Sequence, residues 1–139
     1  MNTIQIKDWH IFLRDGEQFL KTAGAAYAKR KKGFSPEAIY NLICMGIEKL
    51  IMAFLMQRGD LAENHTMTDL QRALEKHLGS NPDIEKKLCF LDSFQEICDL
   101  DTYVTKKPTD EDLEKIVASG DDLYTYLSPF LSTTPKEKI

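Results

Sequence analysis

A chain of 139 residues with 42% hydrophobic and 29% charged side chains fits one globular domain with its own core, and it excludes an intrinsically disordered segment. The formal net charge of −4 excludes a molecule-wide field that gathers nucleic acid, so any such contact needs a local basic patch. Three cysteines (Cys44, Cys89 and Cys98) without metal-ligand spacing point to a reducing, cytoplasmic setting. The start, "MNTIQIKDWH", has no signal-peptide core, and the run "LIMAFLM" is too short to span a bilayer.

The pattern is helical from one end to the other. Trp9, Phe12, Leu13, Phe19, Leu20, Ala23 and Tyr27 mark one face of a first helix over roughly residues 6–31. Gly33 then suits a helix stop, Ser35 an N-cap and Pro36 the first position of a second helix. Along that helix Ile39, Leu42, Ile43, Ile47, Leu50, Ile51, Phe54 and Leu55 form a stripe. Gly46 lies on it, and a glycine that costs about 1 kcal/mol in a helix interior marks a close helix crossing. Met45 and Met52 widen the band, which predicts a central helix and a homodimer.

Gly59 ends the second helix, and Thr66 with Asp69 forms a capping box for a short third one, with Met67, Leu70, Leu74 and Leu78 inward. Asn81 and Pro82 open a fourth helix with Ile84, Leu88, Leu91, Phe94 and Cys98 on its stripe. A loop follows, then a second capping box, Thr109 with Asp112. The fifth helix carries Leu113, Ile116, Val117, Gly120, Tyr124 and Leu127. The expected architecture is an all-α antiparallel bundle of about five helices over residues 1–128, with a polar, flexible tail over 129–139.

Chemistry concentrates where the second helix hands over to the third. Arg58 and His65 have six residues between them, and His65 sits just before the Thr66 cap. A helix N-terminus attracts anions, an arginine offers a planar fork to phosphate, and a histidine can exchange a proton near neutral pH. These groups suffice for metal-free RNA cleavage, or for holding a phosphate without cleaving it. The plainer reading is an arginine favoured at a helix C-terminus and a histidine bonded to backbone. Lys29 to Lys32, "KRKK", is the densest basic run and suits a solvated helix end. Lys106 and Lys107 form a smaller pair, and His77 falls on the apolar side of the third helix. No metal-binding or phosphate-loop motif occurs, and no cofactor is expected.

The segment "AIYNLICMGIEKLIMAFLMQRGDLAENHTMTDLQRAL" resembles the HEPN domain family. It has an apolar helix with Glu48-Lys49 in its middle, a turn at Gly59, His65, and a short helix opening with Asp69-Leu70. Three residues separate His65 from Asp69, where the family places the histidine directly before the Asp-Leu. "LDTYVTKKPTDEDLEKI" is similar to the stretch before the last HEPN helix, with Tyr103 and Pro108 matching and Lys106-Lys107 in place of Arg-Tyr. The resemblance covers roughly residues 4–127. It implies a helical bundle associated with nucleotide or RNA and commonly dimeric. Such domains are often partnered with a minimal nucleotidyltransferase in a toxin–antitoxin pair. A catalytic subset cleaves RNA without metal through an arginine and a histidine. Together with the helix-end placement, it gives an expected ligand site of Arg58, His65, Thr66, Tyr103, Lys106 and Lys107, with Arg58 and His65 catalytic if the chain is an RNase. The expectation is therefore a non-enzymatic binding module. A ribonuclease toxin and a plain helical dimerisation protein are the alternatives.

Overall fold

The computed structural model describes residues 8–29, 35–62, 66–94 and 108–131. Five α-helices make up nearly all of this: α1 (Trp9–Lys29), α2 (Pro36–Gln57), α3 (Met67–Leu78), α4 (Pro82–Asp92) and α5 (Asp110–Leu127). A 3-10 turn, Ser128–Phe130, follows α5, and no strand occurs among the described residues. The all-α bundle follows from the sequence pattern, because every helix turns its apolar stripe inward, with some members, such as Trp9, Phe12, Tyr27 and Val117, only partly buried. Gly33 and Cys98 lie outside the described residues.

The helix ends are set by local chemistry. Ser35 accepts from the Ala38 amide, Thr66 from Asp69 and Asn81 from Ile84, each at the first turn of its helix. Thr109 and Asp112 form a complete capping box on α5. Helix α2 stops in a Schellman motif. Gly59, at φ 74°, donates to the Met56 carbonyl while Asp60 reaches back to Leu55.

Helix α2 is the axis of the bundle and packs against α1, α3 and α5. From Leu50 to Met56 every residue is at most 2% exposed, so its second half is enclosed on all sides. Met52 belongs to this enclosed stretch, whereas Met45 is 41% exposed. The methionine pair is thus divided: Met52 serves the core of a single chain and only Met45 widens an outer face. Helix α2 as a whole, unlike the shorter run "LIMAFLM", is long and apolar enough to cross a membrane. However, 67% of its most apolar window is buried inside the bundle, where it serves as core.

Gly46 does lie at a close crossing. A Cβ there would stand 2.8 Å from Leu20 Cδ2 and 3.1 Å from the Gly16 carbonyl oxygen, and one at Gly16 would stand 3.0 Å from the Gly46 carbonyl. The two glycines face each other and bring α1 onto α2. Lys49 Nζ closes the same interface at 4.8 Å from the centre of the Phe12 ring. After α5 the core continues further than the sequence pattern indicates. Leu131 is 8% exposed and packs into the core beyond the end of α5.

Candidate functional site

Arg58 is the C-cap of α2, and its guanidinium turns back onto the helix it ends. Nη1 donates to the Phe54 carbonyl and Nη2 to the Phe130 carbonyl, both at 3.1 Å. The guanidinium carbon lies 3.8 Å from the centre of the Phe54 ring. Arg58 therefore caps α2 and fastens the turn after α5, and burial lowers its pKa. The plain corner role describes these contacts.

The N-terminus of α3 is already occupied by an anion, the carboxylate of Asp92 at the end of α4. Oδ1 of Asp92 accepts from the Met67 amide at 3.0 Å, and Oδ2 accepts from the Thr68 amide at 2.9 Å and the Thr68 hydroxyl at 2.7 Å. Thr66 takes the remaining first-turn amide, that of Asp69, and its own hydroxyl donates to the Asp69 carboxylate. The helix end attracts negative charge as its dipole requires, but the charge is the chain's own. A second anion beside Thr66 would meet the Asp92 carboxylate. His65, Tyr103, Lys106 and Lys107 lie outside the described residues, as do Arg30, Lys31 and Lys32 of the basic run; Lys29 is the exposed end of α1.

The histidine that the fold brings to this corner is His77. Its ring meets the edge of Phe54, with centroids 5.8 Å apart, and Nε2 lies 2.9 Å from the Asp60 carboxylate. Lys76 Nζ approaches the same carboxylate at 3.1 Å. Hydrogen bonds from His77 and Lys76 hold Asp60 down at about 2. His77 is thus partnered by Asp60 and Phe54 at the bundle's surface, with a side chain 24% exposed, and is not a core residue. One aromatic ring, Phe54, carries Arg58 on its face and His77 at its edge.

Among the described residues two hollows lie elsewhere. One, of about 320 Å³ between α1 and α5, is lined by Glu17, Leu20, Lys21, Asp121 and Tyr124. The Tyr124 hydroxyl donates to Glu17 at 2.6 Å, which pushes the tyrosine up to about 12. Burial and the neighbouring Asp122 raise Asp121. With two carboxylates against one lysine, this hollow repels phosphate.

The other hollow has the opposite character. It is an open groove of about 390 Å³ between α4 and α5, walled by Asp83, Lys86, Lys87 and Phe90 on one helix and Lys115, Ala118 and Ser119 on the other. Lys87 Nζ is tied to Asp83 at 2.9 Å and to Asp122 at 3.6 Å. The ammonium groups of Lys86 and Lys115 make no ion pair among the described residues. Sequence reasoning missed this site. Its only trace is the Lys86-Lys87 doublet, which on one helix reads as a solvated face, and Lys115 joins it through packing alone. Cys44 offers no nucleophile, since burial pushes its thiol up to about 12.

Comparison with protein-family models, curated proteins and solved structures finds no match to this chain.

Proposed function

We propose that this chain is a HEPN-like helical module that binds a phosphate-bearing ligand, a nucleotide or RNA, without cleaving it. The observation that carries this reading is the α4–α5 groove, lined by Lys86, Lys87 and Lys115 beside Asp83, with Lys86 and Lys115 making no ion pair among the described residues. In a chain of net charge −4, that is the kind of local basic patch a phosphate contact requires. The RNase reading draws less support, because two Arg58 donors are engaged with carbonyls and Asp92 fills the α3 N-terminus. Pairing into a homodimer and docking of a nucleotidyltransferase belong to the same family reading. The exposed Met45 on the central helix is the feature that favours a second copy.

Incubating the purified chain with labelled RNA in EDTA tests the reading directly. The expected result is retention of intact RNA or nucleotide, with no cleavage products. Cleavage that persists in EDTA and disappears in both Arg58→Ala and His65→Ala would replace the binding module with a metal-independent ribonuclease.

A further inference from the structure

We infer that the α3–α4 hairpin is a hinged lid on the bundle. Its base, where α3 begins and α4 ends, is the pivot. Its tip, the turn between the two helices, is held by polar latches and lifts as one unit.

The two helices form a closed pair. They pack on each other more than either packs on any other element, whereas α1, α2 and α5 make up the more extensively packed part of the bundle. At the tip, residues 79–81 join α3 to α4. At the base, the Asp92 carboxylate that ends α4 holds the Met67 and Thr68 amides that begin α3. Helices tied at both ends behave as one cooperative unit.

The pair is attached to the rest of the bundle differently at its two ends. At the base, the Tyr40 hydroxyl of α2 donates to the Leu91 carbonyl at 2.6 Å in a buried position. The Phe94 ring, 4% exposed, tilts against Tyr40 with centroids 5.3 Å apart. Breaking a buried hydrogen bond leaves both groups without a partner, so this end stays in place.

At the tip, Gly79, Ser80, Pro82 and Asp83 are exposed. Asp60, just after α2, holds His77 at 2.9 Å and Lys76 at 3.1 Å, and Asp122 on α5 holds Lys87 at 3.6 Å. The side chains of Lys76 and Asp122 are 66% and 54% exposed. Pairs so exposed contribute little each and weaken as salt rises. The open groove runs beside Asp83, Lys86, Lys87 and Phe90, so this half of α4 stands off α5 instead of interlocking with it. Lifting the tip withdraws the His77 ring from the edge of Phe54 and uncovers that side of the enclosed half of α2. Leu74, Ile84 and Leu88 are buried and oppose this, so the closed state dominates and the open one is a minor population.

Residue-resolved hydrogen exchange of the full chain, at low salt and in low concentrations of urea, tests the lid. The amides of Lys76, His77 and Leu78 on α3 and of Lys87 and Leu88 on α4 should be less protected than those of residues 50–56 by roughly tenfold or more, with a weaker dependence on urea. Asp60→Asn unlatches α3 alone, yet it should speed exchange on both helices by one shared factor of roughly threefold or more, which high salt reduces. Asp122→Asn, which loosens α4 alone, should reach the α3 amides in the same way. Tip amides as well protected as residues 50–56 would mean that the hairpin opens only when the whole bundle unfolds. A response confined to the helix whose latch was removed would mean ordinary fraying of that helix, and no response to either variant would remove the latches. Each of these three results overturns the lid.

Discussion

Replacing Gly46 with alanine adds one methyl group at the tightest point of the bundle. That Cβ would stand 2.8 and 2.9 Å from Leu20 Cδ2 and Cγ, where carbon atoms rest at about 3.5–4.0 Å. The tip of Leu20 borders the α1–α5 hollow and can shift part of the way. The Gly16 carbonyl, 3.1 Å away, is backbone and moves only if α1 moves. Overpacking of this kind costs about 1–3 kcal/mol, and alanine's better helix propensity returns about 1 kcal/mol. Gly24, also in α1, is the internal control: a Cβ there meets nothing within 4 Å, so Gly24→Ala should gain the propensity term alone. Urea denaturation followed by far-ultraviolet circular dichroism should therefore place Gly46→Ala below Gly24→Ala by about 1–3 kcal/mol. Gly46→Leu should fall further still. Equal midpoints for the two alanine variants would refute the close crossing and the helix phase on which it rests.

Asp92→Ala strips the first turn of α3 of three hydrogen bonds and should destabilise the fold by about 1–2 kcal/mol. Amide exchange should speed up first at Met67 and Thr68, and unchanged exchange there would mean that the carboxylate does not cap the helix. The Asp60 interactions give an acid-dependent term. Its folded value of about 2 lies below the unfolded value of about 3.9, so its stabilisation is full above pH ~4 and is lost as pH falls through 2. Wild type and Asp60→Asn should differ in denaturant midpoint at neutral pH and converge in strong acid. A gap that persists at low pH would show that charge is not what Asp60 contributes.

What the chain determined by itself is everything that depends on neighbours within a turn or two. The caps at Ser35, Thr66, Asn81 and Thr109, the stop at Gly59 and the buried stripes are legible because hydrogen-bond geometry and the 3.6-residue period act locally. Gly46 was legible as a close crossing because a glycine on an apolar stripe has a local cost that only packing offsets. That Gly16 is its counterpart was not, since nothing near Gly16 in the chain encodes which helix it will meet. The candidate sites divide in the same way. Arg58 was legible as the residue ending α2, but its bond to the Phe130 carbonyl depends on a turn 72 residues away. The Asp92 carboxylate at the α3 N-terminus comes from 24 and 25 residues downstream. Lys86 and Lys115 share a groove only because α4 and α5 pack side by side. Each of these depends on which helix lies beside which, and the amphipathic stripes leave that choice open because one leucine face accepts another with little discrimination. Shape at the few tight positions, such as the Gly16–Gly46 contact, then selects the arrangement that sets the charges.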